Sequence, residues 1–281
     1  MLMNGFSMLG GILFAFNTSQ KFGTDPKTWR LFADVINDVG LTLTMSAPLF
    51  GKGFVFVACL GSICSAVCGV AAGATKTAIT QHFSKYKSGG ILADVYAKEG
   101  IQETIVTLIG LLLGSLLSNF VTQLHIQWII FIILTIFHVY ANFKAVTSLS
   151  LKTLNTQRLN IIIEHYTKTD IVLDPKQVSR REKVWSLFKT QIRLGVSLHE
   201  TIKGEQDWFV SQCKPHPRYI QKDNVVLLHS SASSIDLIQS FYSALDGKNF
   251  KIFLDLLRKQ EWMVDQVELE IDEGWRFEYP E

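Results

Sequence analysis

Nine polar side chains gather where two uncharged runs end. Lys76, Thr77 and His82 leave the first run, Asp94, Lys98, Gln102 and Glu103 lead into the second, with Thr80 and Glu99 beside them in the same stretches, and His138 and Asn142 lie near the second run's close. Amines, carboxylates, amides and an imidazole could line a cavity for a small charged molecule. A lysine held in a desolvated pocket could also form a Schiff base with a pyridoxal carbonyl, with Lys76 and Lys98 as the candidates. The same spacing fits a solvated loop with interfacial anchors, and His138 and Asn142, four apart, fit a buried hydrogen-bonded pair. Nothing in the spacing requires catalysis, so no catalytic residue is assigned and a non-enzymatic protein is expected.

The stretch "CLGSICSAVCGVAAGATKTAITQH" (residues 59–82) admits three other chemistries. A phosphate loop needs a glycine directly before its Lys-[Ser/Thr]. Here Ala74 and Thr75 separate Gly73 from Lys76, and no strand leads in. Cys64 and Cys68 would share a helix face as a metal pair, but no neighbouring His or acid completes four ligands. Cys213 and His216, flanked by His199 and His229, match no familiar zinc spacing. No metal and no cofactor is therefore expected. Helix packing needs no further groups: Gly61, Ser65, Gly69 and Gly73 recur every fourth residue, and Gly110 and Gly114 repeat the pattern, as in helices that approach closely inside a bilayer.

The elements that must position these residues follow from the distribution of charge. Residues 1–143 hold 8 Lys+Arg and 6 Asp+Glu, whereas residues 144–281 hold 19 of each. Residues 53–75 and 104–143 contain no formal charge, and a helix needs about 20 apolar residues to cross a hydrocarbon core of about 30 Å. Apolar runs also occur in soluble all-α cores, but forty uncharged residues are hard to bury in a chain of 281. The longer run predicts a helical hairpin turning at "TQLHIQ" (122–127). A tighter hairpin is predicted earlier, with residues 39–50 leading through Pro48 to an "FGKG" turn.

Lys21, Lys27 and Arg30 precede the first hairpin, Lys76, Lys85, Lys87 and Lys98 lie between the two, and Lys144, Lys152 and Arg158 follow the second. Only Lys52 marks an opposite turn, so the positive-inside rule puts the connections and the C-terminal half on the cytosolic side.

The predicted fold class is mainly α: a multipass helical membrane region (1–143), a connecting helix (144–167) and a small α+β C-terminal domain (168–281). Residues 145–166 read as one amphipathic helix and Asp174-Pro175 as a turn before a short charged helix. Residues 224–230 read as a strand, 233–246 and 249–262 as helices and 264–279 as one or two strands. A net charge of +2 without a basic block excludes nucleic acid as the natural partner. Four cysteines, three of them in one apolar run, give no disulfide framework, and an intracellular membrane of unspecified organelle is expected.

Five blocks resemble the root UVB sensitive family: "WRLFADVINDVG" (29–40), "GVAAGATKTAITQH" (69–82), "ADVYAKEGIQET" (93–104), "HVYANFKAV" (138–146) and "TLNTQRL" (153–159). Likeness continues more weakly to residue 279. Where the family reads G-G-A-T-R this chain has Ala72-Gly73-Ala74-Thr75-Lys76, keeping the charge with a different donor geometry. The family's S-Q-E-T is Ile101-Gln102-Glu103-Thr104, one hydroxyl fewer, and its asparagine-rich loop is Ser88-Gly89-Gly90. "SMLGGILFAF" resembles a segment well inside family members, so a shortened member is expected. The resemblance implies no catalytic activity. It implies links to root UV-B responses, seedling development, auxin transport and vitamin B6 homeostasis, with members that associate with one another. The expected role is a scaffold, sensor or regulator, with a small-molecule carrier as the alternative. Expected partners are membrane lipids and family members or a second copy of the chain.

Overall fold

Each long uncharged run folds as an α-helix, which satisfies its backbone N–H and C=O groups within one segment. The computed structural model describes residues 2–86, 92–185, 192–202, 206–213, 217–245, 247–272 and 274–279. Lys87, the loop Ser88-Gly89-Gly90 and His216 lie outside the described residues. The chain divides into two units, Met1–Ser148 and Leu149–Glu281.

The first unit is wholly helical among its described residues: α1 (Leu2–Thr18), α2 (Pro26–Ser46), α3 (Phe54–Tyr86), α4 (Leu92–Phe120) and α5 (Leu124–Ser148). α2 starts where Asp25 caps it, its carboxylate accepting from Thr28 N at 3.3 Å, with Pro26 as the first helical residue. This start revises the expected span of 39–50. Helix capping, not apolarity, sets the boundary, so Arg30, Asp34 and Asp38 lie inside α2. The short 3-10 turn Ala47–Gly53 joins α2 to α3 and holds Gly51 at φ +51, a region that favours glycine. The predicted turn in "TQLHIQ" is three residues, 121–123, between α4 and α5, where Gln127 Nε2 donates to Val121 O at 3.0 Å.

α2 and α3 pack along their length, α1 lies against α3, and α5 against α2. Phe14, Phe22, Trp29 and Phe32 form an aromatic group beside buried Ala33 and Ala71; Trp29 meets Phe22 edge-on at 5.1 Å and Phe32 at 5.4 Å. Three segments are long and apolar enough to cross a membrane: Pro26–Phe83, which contains the α2–α3 hairpin, then α4 and α5. None of α4's apolar window is buried in the protein, which leaves Val106, Leu111 and Phe120 facing outward.

The second unit does not continue α5. The expected helix over residues 145–166 is broken: α5 stops at Ser148, β1 (Thr153–Asn155) is extended, and α6 (Thr156–Thr169) restarts the helix. Asn155 caps α6 from an extended conformation, its side chain accepting from Arg158 N at 2.8 Å. β1 pairs in parallel with β5 (Met263–Glu268), over 100 residues away, and that pairing competes with helix across Leu149–Asn155.

α7 (Pro175–Ser179) follows, closed by a capping box between Asp174 and Gln177. Then come β2 (Arg193–Leu194), α8 (Leu198–Ile202), α9 (Gln206–Gln212), β3 (Tyr219–Lys222), β4 (Val225–His229), α10 (Ser234–Ala244) and α11 (Phe250–Lys259). β5 and β6 (Arg276–Phe277) end the unit. β4 takes antiparallel β3 on one edge; parallel β2 and β6 share the other, β2 at Val225 and Val226, β6 at Leu228 and His229. Leu159, Ile162 and Ile163 of α6 join Val226, Leu228, Ile238, Phe241, Phe253 and Leu257 in one buried core. The fold class is the expected one, mainly α with a smaller α+β unit behind apolar helices.

Candidate functional site

The structure sorts the nine candidate residues into two groups in the first unit and leaves others apart. On α3, Lys76 points its amine at Glu103 Oε2 of α4, 2.7 Å away, and at Glu99 Oε1, 3.7 Å away. Thr80, one turn after Lys76 and buried, shares its hydroxyl between Lys76 O at 2.8 Å and Glu99 Oε2 at 3.1 Å. Glu99 and Glu103 stand one turn apart on α4, so both carboxylates face the same amine. Lys76, Thr80, Glu99 and Glu103 thus tie α3 to α4 by charge and hydrogen bonds.

Asp94 and Lys98 are not part of that group. They pair with each other at 2.7 Å, both more than half exposed, as an ordinary i,i+4 surface pair worth about 0.3–0.5 kcal/mol. Thr77 is exposed and donates to Gly73 O at 3.0 Å within its own helix, and Gln102 is exposed. His82 is buried, its ring edge-on to Phe83 at 5.5 Å.

The second group lies between α2 and α5. His138 Nδ1 is 2.9 Å from Asp38 Oδ2. Asn142 does not complete this contact: its amide donates to His138 O at 3.0 Å along the same helix. One turn before Asp38, Asp34 is also buried, and Arg30 Nε stands 3.7 Å from Asp34 Oδ2. Arg30, Asp34 and Asp38 were absent from the candidate set, whereas Thr80 and Glu99 stood beside it in the same two stretches. Their signal was spacing: Asp34 and Asp38, Glu99 and Glu103, and Lys76 and Thr80 are each four apart, on one helix face.

The small-residue positions also separate. A Cβ on Gly61 would lie 2.6 Å from Thr44 Oγ1 and 3.0 Å from Gly40 O, so α2 and α3 touch there backbone to backbone. Ser65 belongs to the same contact, 3.4 Å from where a Cβ on Gly40 would sit. Gly69, Gly73, Gly110 and Gly114 meet no atom within 4 Å at their Cβ positions. A four-residue step drifts about 40° around a helix, so the stripe that begins against α2 has rotated away from it by Gly69. Gly10 and Gly11 of α1, by contrast, abut Ile63 and Ala66 of α3.

Among the described residues no group of three or more His, Cys, Asp and Glu side chains is placed to hold a metal ion. The helical unit nevertheless concentrates opposite charges between helices that are otherwise apolar, an arrangement suited to binding charge or passing a proton.

Comparison with known proteins assigns this unit. The family described as "Vitamin B6 photo-protection and homoeostasis domain" matches residues 1–170, which hold both polar groups. The chain is 35% identical to protein root UVB sensitive 3 of Arabidopsis thaliana over 95% of its own length and 64% of the relative's. It is 36% identical to RUS family member 1 of Dictyostelium discoideum over 73% of its own length and 40% of the relative's. For protein root UVB sensitive 2, chloroplastic, of A. thaliana the identity is 28% over 72% and 47%. The chain thus spans less than two thirds of each of these relatives. No solved structure matches it. The matched domain, the resemblance of five sequence blocks and the relatives agree that this chain belongs to the root UVB sensitive family.

Proposed function

We propose that the chain is a non-enzymatic multipass protein of an intracellular membrane, acting as a scaffold or sensor whose C-terminal unit meets partners on the cytosolic side. The observation that carries this reading is that Leu149–Glu281 builds its own buried core directly behind helices long and apolar enough to span a bilayer. A family member or a second copy is the proposed partner. The two candidate Schiff-base lysines fit this non-catalytic reading: Lys76 is engaged by two carboxylates and Lys98 is 70% exposed, whereas Schiff-base chemistry needs a free amine in a desolvated pocket.

The test is a truncation at Ser148, since a cut at Lys168 would leave α6 behind without the core it completes. Residues 1–148 should still float with lipid vesicles but no longer co-purify with a differently tagged full-length copy. Co-purification that survives the truncation refutes the role given to the C-terminal unit.

A second reading, a carrier or binding protein for a small molecule linked to vitamin B6, is favoured by the Lys76–Glu103 and Asp38–His138 pairs and by the description of the matched domain. Full-length protein in vesicles should then bind a B6 vitamer, with at least about tenfold weaker binding in Lys76→Met, since loss of a charge-assisted bond removes about 1.5–3 kcal/mol. Equal binding by the variant removes this site from the reading.

A further inference from the structure

We propose that Asp34, Asp38 and His138 form an intramembrane proton site, in which the three groups together bind one exchangeable proton at the contact between α2 and α5. The site sits well inside both helices: Asp38 is the thirteenth residue of 21 in α2, and His138 the fifteenth of 25 in α5. The side chains of Asp34 and Asp38 are each 10% exposed. Asp38 is joined to His138 by the 2.9 Å contact. Asp34 Oδ2 is buried and makes no hydrogen bond, and the nearest cation, Arg30 at 3.7 Å, stands beyond hydrogen-bond length.

Charge counting then points to a proton. Arg30 offsets one carboxylate, which leaves the other without a counter-charge while His138 is neutral. One proton, carried by the imidazole or a carboxyl, brings the set to neutrality, the favoured state in a low-dielectric surrounding. A metal ion would require several converging oxygen or nitrogen ligands.

Among the described residues, the neighbouring elements place no cation beside the pair. From α3, Cys68 lies within electrostatic reach of Asp34 and Asp38, and Lys76 within reach of Arg30. From α5 only Asn142 adjoins His138, through the backbone bond described above. α1 has no titratable side chain, and Lys52 is the only one in the Ala47–Gly53 turn. The inference does not depend on whether the protein is a scaffold or a carrier; it rests only on α2 and α5 lying in a bilayer. A proton held there would let the α2–α5 contact respond to pH or couple a bound molecule to proton movement.

The experiment uses the full chain, labelled with 15N-histidine and reconstituted in phosphatidylcholine vesicles, with the His138 resonance assigned by its absence in H138Q. Asp38→Asn, which removes the carboxylate 2.9 Å from Nδ1, should shift the His138 titration midpoint. Asp34→Asn, at a carboxylate whose Oδ2 makes no hydrogen bond, should also shift it. A midpoint identical in wild type and both variants overturns the proposal. Infrared difference titration of the wild-type chain against H138Q isolates the site: the carboxylate and imidazole bands in the difference should change over the same pH range, as coupled groups do, and separate ranges overturn the proposal. Vesicle flotation reads bilayer placement independently. A chain that floats with an uncoupled His138 refutes the proton site alone, and one that does not float refutes the membrane placement with it.

Discussion

Arg158 is the largest side chain in the fully buried set, and its guanidinium meets Glu182 at 2.8 Å with both side chains 2% exposed. Its Nη1 also donates to Thr153 O at 2.9 Å, tying α6 to β1. Removing one partner strands a buried charge, so Glu182→Ala should destabilise the second unit by about 3–5 kcal/mol, whereas Arg158→Met with Glu182→Leu together should be near neutral. Urea unfolding monitored at Trp262, buried in the same core, reads both values. Asp236 gives the residue-scale dependence on pH. Burial pushes its carboxyl up, but hydrogen bonds from the Ser233 hydroxyl and backbone and the Arg218 guanidinium outweigh this and hold it below its ordinary value. A carboxyl lowered on folding stabilises above its unfolded value, about 3.9, and loses that stabilisation as pH falls through the folded value. Asp236→Ala should cost about 1 kcal/mol at neutral pH through the lost N3 arm of the α10 capping box, and the gap between variant and wild type should close on acidification below about pH 4. A gap that is the same at pH 3 and pH 7 would contradict the charge-based account.

At the scale of elements, the sequence marked where helices lie better than what each face meets. The uncharged runs and the turn after Pro48 stand where local residues predicted them, and the chain turns at the start of "TQLHIQ", because turn chemistry and apolar length are local properties. The α5–α6 break was illegible because its cause, β1 pairing with β5, is remote in sequence. The acidic pair Asp34 and Asp38 was masked for a different reason: charges inside α2 made it read as flanking sequence, although their four-residue spacing was visible. The packing stripe was half legible, since a repeat of small residues shows a face but not how far the neighbouring helix follows it. This gives a sharp contrast to measure. Gly61→Val places side-chain atoms against Thr44 and the Gly40 carbonyl and should destabilise the α2–α3 hairpin by about 1–3 kcal/mol. Gly73→Val, at a position open to 4 Å, should lose no more than the 0.5 kcal/mol typical of open surface sites. Thermal unfolding of the two variants in one detergent, compared side by side, reads this contrast, and equal losses would contradict it.

Over the whole molecule, charge would set the sidedness of the helices that are long and apolar enough to span a bilayer. The two hairpin tips carry between them one Lys, whereas Arg30, Lys76 and Lys98 stand near the opposite ends of the same helices, and Lys144 near the end of α5. Lys and Arg resist translocation, so the tips should lie on one side of the bilayer and the second unit on the other. Cysteine placed at Lys52 or Gln123 should react with a membrane-impermeant thiol reagent from the lumenal or external side only, and cysteine at Asp170, exposed on the second unit, from the cytosolic side only. The native Cys59, Cys64 and Cys68 lie within α3 and, with the partly buried Cys213, are replaced by serine or alanine in the test protein. Labelling of Lys52→Cys and Asp170→Cys from the same side would overturn this arrangement, and labelling from exchanged sides would invert it.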